Sequence, residues 1–172
     1  QGEPFNFTLL TCDTHFPDGY YCQECRDEYP EQYPTVARCS SRKVMEFIEW
    51  CRQQPFYENT TVVITGDHLS MDNGYFKRNV DPSYQRMVFN CILNSPVTTD
   101  NTQNREYCAV DLFPTTLAAL GCTIEGDRLG LGVNLFSDTP TLSEQWGFDR
   151  FNQEMGKASE YYIRNFHNDP DA

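Results

Sequence analysis

The chain has 172 residues, of which 39% are apolar and 14% aromatic, and a formal net charge of −12. That length supports one domain with a sizeable core, and so aromatic a composition argues against disorder. The acidic balance excludes nucleic acid as a partner, because phosphate binding needs a basic surface, and there is no apolar run of the 18 or more residues that a membrane-spanning helix requires.

Residues 5–12, "FNFTLLTC", read as a buried strand. The run ends on Asp13 and His15, and Pro17 and Gly19 mark a loop. Residues 20–33 are polar and tyrosine-rich, an extended loop. From about Pro34 to Gln53 the pattern turns helical, with Val44, Phe47, Ile48 and Cys51 on one face and Pro55 beyond its end. "TTVVIT", 60–65, is a second strand, and "QRMVFNCILNS", 85–95, a third. Residues 97–107 form a polar connector. "AVDLFPTTLAALGC", 109–122, is a short helix with Asp111 as the expected N-cap, Pro114 in its first turn and Gly121 as its stop. "RLGLGVNLFSD", 128–138, reads as a glycine-punctuated loop. Thr141-Leu-Ser-Glu144 is a capping box. It opens a helical stretch to about Phe166, interrupted at Gly147 and Gly156.

The strands at 5–12 and 60–65 are separated by a helix, which predicts an α/β fold with those two strands parallel. Both become polar at their C-terminal ends, the edge at which open α/β sheets bind ligands. The second strand ends on "TGDHLSM", which follows the run Val62-Val63-Ile64 and places Asp67 and His68 just past it, after Thr65 and Gly66. A carboxylate and an imidazole beside an apolar core need a partner. Two readings fit: structural groups paired within the protein, or ligands of a divalent ion such as Zn²⁺ or Mn²⁺. Of three histidines, two stand past predicted strand ends next to an aspartate, which favours a shared rim of Asp13, His15, Asp67 and His68. His167 has no such setting. No nucleophile-elbow or P-loop pattern is present, so these residues offer a metal half-site without an attacking group.

The eight cysteines are most simply explained by disulfides in an oxidising compartment. Cys22-Gln-Glu-Cys25 is a CxxC with no second CxxC to complete a zinc motif. A disulfide between this loop and Cys39 is the expected staple, with zinc binding or redox chemistry as alternatives.

"LLTCDTHFPDGYYC", "VVITGDHLSMDNG", "DLFPTTLAALG" and "LGLGVNLFSD", in this order, resemble the C-terminal half of the alkaline phosphatase and sulfatase superfamily, and within it the phosphoglycerol transferases. The stretch "DTHFPDG" is more similar to the glucan-modifying type than to lipoteichoic acid synthases. The likeness covers most of residues 5–138. It implies an α/β alkaline-phosphatase-like fold with a mostly parallel sheet flanked by helices. Residues 1–172 would then be the C-terminal portion of a larger extracytoplasmic catalytic domain, anchored to a bacterial cell membrane by N-terminal helices outside this chain. It further implies transfer of phosphoglycerol from a phosphatidylglycerol-type lipid to a glycan or glycerolipid acceptor. One divalent ion, usually Mn²⁺ with Zn²⁺ or Mg²⁺ as substitutes, would be held by Asp67, His68 and a Glu and a nucleophilic Thr from the N-terminal half. His15 would be catalytic, holding the substrate's phosphoryl oxygens or donating a proton to a leaving oxygen, and Asp13 would sit at the substrate and orient His15, or belong to a second metal site as in two-metal relatives. On this reading the chain alone binds metal weakly and is inactive. The alternatives are a sulfatase or phosphodiesterase of the same superfamily and a non-catalytic secreted binding module.

Overall fold

A computed structural model describes residues 3–100 and 103–166. His167 and the tail after it lie outside the described residues. Contacts divide the chain into two compact units, Gln1–Thr60 with Ile64–Cys91 and Thr61–Val63 with Ile92–Ala172.

In the first unit the long helix α1, Gln32–Arg52, buries Thr35, Val36, Cys39, Ser40, Ile48 and Cys51. The face expected from periodicity is partly right: Ile48 and Cys51 are buried, whereas Phe47 is exposed and stacks on Trp50 with ring centroids 5.9 Å apart. After a single 3₁₀ turn at Tyr57–Asn59 comes strand β1, Val62–Thr65, which pairs with β2, Asn90–Leu93, in a two-stranded sheet. Between them a short helix, α2, covers Asn73–Asn79. It was not legible in "DNGYFKRN", which has no apolar period to reveal it. Tertiary contacts hold it instead. Tyr33 packs on Tyr75 and Phe76 at 5.1 and 5.9 Å between centroids, and Glu31 receives hydrogen bonds from Arg78 and Asn79 at 2.5 and 2.7 Å.

Residues 5–12 do not form the expected buried strand. They join no sheet among the described residues, and Phe5, Phe7, Leu9 and Leu10 are 59–77% exposed. An apolar run records a preference for burial, but a strand exists only where a neighbour takes its N–H and C=O groups.

The second unit is built on α3, Ala109–Ala119, and a tight hairpin of β3, Arg128–Leu129, with β4, Gly132–Val133, in antiparallel register. The "RLGLGV" segment is thus a hairpin turning at Gly130, which has φ +61°, rather than a plain loop. Asp111 is not the N-cap of α3. Cys108 is, and Asp111 stands three residues later with its carboxylate accepting the Cys108 N–H at 2.9 Å and the Val133 N–H at 2.8 Å. The carboxylate's second bond, made to a strand end, explains its burial at 1% exposure. Thr115 repeats the device: its hydroxyl donates to the Asp111 carbonyl at 2.6 Å and accepts from the Leu135 N–H at 3.0 Å.

The capping box forms as expected at the start of α4, Leu142–Trp146, and Gly147 and Gly156 bound α5, Phe148–Met155, before α6, Glu160–Phe166. Gly147 is at φ +80°, a conformation that a side chain would strain. Arg105 ties this region to the connector. It donates to the Leu135, Ser137 and Thr139 carbonyls and forms a two-pronged pair with Glu144 at 2.6 and 2.9 Å. No helix among the described residues is long and apolar enough to cross a membrane.

Candidate metal and phosphate site

β1 delivers Gly66, Asp67 and His68 at its C-terminal end. The Gly66 N–H donates to the Phe89 carbonyl at 3.0 Å, so the pairing with the β2 side continues one residue past the strand. Beyond it the chain turns. The His68 N–H donates to Asp67 Oδ1 at 2.9 Å, and His68 Nδ1 lies 2.8 Å from the Leu69 carbonyl. A carbonyl only accepts, so Nδ1 carries the proton and Nε2 presents its lone pair. Asp67 Oδ2 lies 3.5 Å from that Nε2, and both side chains are exposed. In a tetrahedral shell with metal–N and metal–O bonds of about 2.0–2.1 Å, two ligand atoms stand about 3.4 Å apart. The pair therefore fits adjacent positions around one divalent ion, with the ring held from behind by a carbonyl as metal-bound histidines usually are.

His15 is built the same way. Its Nδ1 lies 2.7 Å from the Phe16 carbonyl, leaving Nε2 exposed as a lone pair or, once protonated, a donor. The carbonyl of Phe16, and not Asp13, holds the ring; Asp13 Oδ2 instead pairs with Lys43 Nζ of α1 at 3.5 Å. Backbone hydrogen bonds turn the loop carrying both residues. Tyr20 donates to the Asp13 carbonyl at 2.6 Å and Gly19 to the His15 carbonyl at 3.1 Å. Gly19 has φ +72°, and a Cβ there would stand 2.7 Å from the Asp13 carbonyl oxygen and 2.8 Å from Val36 Cγ1, so glycine is required.

One residue that sequence reasoning passed over fastens the two segments. Asp72, 5% exposed, accepts the Asp18 N–H at 3.2 Å with Oδ2 and the Tyr75 N–H at 3.2 Å with Oδ1. The second bond caps α2. The first ties the His15 loop to the segment that follows His68. An N-cap signal at "MDNGY" was the only clue available, and nothing in it marks a second partner. Arg86 braces the same segment, donating to the Ser70 carbonyl at 2.5 Å and lying 3.9 Å above the Phe76 ring. Among the described residues, no three of Asp13, His15, Asp67 and His68 converge closely enough to surround an ion; the one cluster that does is Cys22, Cys25 and Cys39.

The expected disulfide between that loop and Cys39 is not formed. All eight cysteines are free thiols, with Cys22 Sγ 3.6 Å from Cys25 Sγ and 3.8 Å from Cys39 Sγ. A bond requires about 2.05 Å, and here Cys22 is shared between two neighbours. The Lys43 ammonium, donating to Cys22 at 3.1 Å, draws that thiol down to about 7, while burial pushes Cys39 up to about 11.

This α/β arrangement, with Asp and His at a strand end, is that of an alkaline-phosphatase-like fold, and the sulfatase family profile matches residues 1–122. The chain belongs to the sulfatase family. Among curated proteins it is similar to phosphoglycerol transferase I of Citrobacter koseri, 35% identical over 84% of this chain and 19% of that protein. Phosphoglycerol transferase I of Salmonella paratyphi B is 34% identical, and that of Salmonella choleraesuis 31%, over the same shares. The chain thus spans about a fifth of the length of these relatives. No solved structure matches it.

Proposed function

We propose that the protein carrying this chain transfers a phosphoglycerol group from a phosphatidylglycerol-type lipid to a hydroxyl of a glycan or glycerolipid acceptor. The observation that supports this reading most directly is the pair Asp67 Oδ2 and His68 Nε2, two lone-pair donors 3.5 Å apart at the end of β1, in a chain whose relatives are named phosphoglycerol transferase I.

Asp67 and His68 would hold one divalent ion. Oxygen and imidazole donors suit Mn²⁺, and also Zn²⁺ or Mg²⁺. When bound, such an ion supplies charge stabilisation at the phosphoryl oxygens and lowers the pKa of a ligated hydroxyl. The remaining ligands, a Glu and the nucleophilic Thr, are assigned to residues outside this chain. Leu69 fixes the tautomer of His68 so that Nε2 stays available. His15, fixed likewise by Phe16, uses a protonated Nε2 to donate to a phosphoryl oxygen or to the departing lipid oxygen. Asp13, paired with Lys43 at 3.5 Å, would lie beside the substrate. With two of the four ligands, this chain alone is inactive. The reaction is assigned to the extracytoplasmic face of a bacterial cell membrane, where lipid donor and envelope acceptor meet.

The second reading keeps the same residues but makes water the acceptor, giving a phosphodiesterase or sulfatase; the sulfatase family match supports it. The test uses the full-length protein with vesicles of headgroup-labelled phosphatidylglycerol, an oligosaccharide acceptor and Mn²⁺. Label on the oligosaccharide, lost in Asp67→Ala and His68→Ala, is the expected result. Release of free glycerol phosphate with no labelled oligosaccharide would establish the hydrolase. Full activity in Asp67→Ala would remove the site from the reaction altogether.

A further inference from the structure

We propose that Cys22, Cys25 and Cys39 form a second, separate metal site, a three-thiolate shell for zinc or a similarly soft divalent ion. It would pin the loop before α1 to the helix itself.

Geometry comes first. The three Sγ atoms all lie within 4.8 Å of one another, with Cys22 at 3.6 Å from Cys25 and 3.8 Å from Cys39. A tetrahedral zinc with Zn–S bonds of about 2.3 Å sets neighbouring sulfurs about 3.8 Å apart. A disulfide would instead draw two sulfurs together and leave the third unused. The CxxC turn is closed by the Cys25 N–H donating to the Cys22 carbonyl at 3.1 Å, which brings both thiols to one side. Cys39, 2% exposed on α1, forms the floor.

Two cations stand beside these sulfurs. Lys43 Nζ donates to Cys22 Sγ at 3.1 Å. Arg42 Nη2 lies 3.4 Å from Cys39 Sγ and is steadied by the Glu24 carbonyl at 2.6 Å. Three thiolates around a divalent ion leave one net negative charge, and these two cations are placed to offset it. Outer-shell donors of this kind orient and tune metal ligands, whereas a neutral disulfide has no use for them. Thiolates also separate this site chemically from Asp67 and His68, whose oxygen and nitrogen donors suit harder ions. A water would complete a four-coordinate shell.

The site has a structural consequence. Lys43 reaches Asp13 Oδ2 as well as Cys22 Sγ. Fixing the sulfurs therefore fixes the lysine that holds Asp13, two residues from His15.

The test uses the full-length protein, purified without chelator under reducing conditions, both as wild type and as Asp67→Ala/His68→Ala, in which the other ion site is removed. Zinc at one equivalent per chain is expected in the double variant. On replacement by Co²⁺ the near-ultraviolet thiolate-to-cobalt charge-transfer band should appear. Cys22→Ser, Cys25→Ser and Cys39→Ser, each added to the double variant, should lose it. Should a serine variant fail to fold, protection of these three thiols from alkylation by added zinc in the double variant remains decisive. Absence of both band and protection would overturn the proposal. So would peptide mapping of natively oxidised protein that joins Cys39 to Cys22 or Cys25. Loss of transfer activity in the double variant does not bear on this outcome, so the two sites fail independently.

Discussion

The buried carboxylate of Asp72 accepts the backbone N–H of Asp18 at 3.2 Å across 54 residues of sequence, and the same side chain caps α2 through Tyr75. A single acidic group therefore starts a helix and anchors the loop that presents His15. Helix caps and buried hydrogen bonds are individually small terms, but here both depend on one residue, so positioning and stability are coupled.

Asp72→Ala should therefore lower stability by about 1–3 kcal/mol, from a lost cap and an unsatisfied Asp18 N–H. Asp72→Asn keeps one acceptor oxygen and should fall between the two. Urea denaturation of the three proteins checks the order. An alanine variant as stable as wild type would show that the carboxylate is dispensable.

His68 and His15 should separate in their effects. Losing an outer-shell partner already costs roughly 10–100-fold in metal affinity, so His68→Ala, which removes a proposed ligand, should weaken Mn²⁺ binding by more than about 100-fold. His15→Ala should leave metal binding unchanged and lower turnover by about 10²–10⁴-fold, the usual range for a proton-transferring group. Metal titration beside transfer assays on the full-length protein distinguishes them. Loss of metal in His15→Ala would move that residue into the ion's shell.

Gly132 and Gly126 make a matched pair. A Cβ on Gly132 would stand 2.0 Å from the Val110 carbonyl oxygen and 3.0 Å from Pro114 Cγ, both on α3. Gly132→Ala should cost about 3 kcal/mol or more, because backbone must move. Gly126 has φ +64° but nothing within 4 Å, so Gly126→Ala should cost only about 1–2 kcal/mol from the left-handed conformation. Soluble yield and denaturation midpoints of the two variants read the difference.

Acid should release the Arg105–Glu144 clamp. Hydrogen bonds from Arg105 hold the Glu144 carboxyl below the usual carboxylate range. A depressed folded value stabilises the protein above the unfolded value of about 4.3 and is lost as pH falls through the folded value. Glu144→Gln should thus be less stable than wild type at neutral pH, and the gap should narrow below about pH 4. Denaturation midpoints across that range test it; a gap that is constant with pH would show that the pair contributes shape and not charge.

Local rules decided much of this protein from sequence. The capping box at Thr141 and Glu144, the breaks at Gly147 and Gly156, the helix after Pro34 and the apolar strand ending in Asp67-His68 depend on neighbours within a turn or two. So does the resemblance of the ordered motifs to the sulfatase family, which the profile match bears out. Tertiary structure decided what depends on a distant partner. Asp111 reads as an N-cap but sits one turn into its helix, because the Val133 N–H lies against its second oxygen. Residues 5–12 read as buried yet lie exposed, since apolarity cannot supply a neighbouring strand. The cysteine spacing placed Cys39 near the CxxC loop, but only the fold showed three sulfurs sharing one point with Lys43 and Arg42 beside them. Periodicity and capping act through the chain's own next turn, whereas a hydrogen-bond acceptor or a ligand shell is completed by residues whose approach no local pattern encodes.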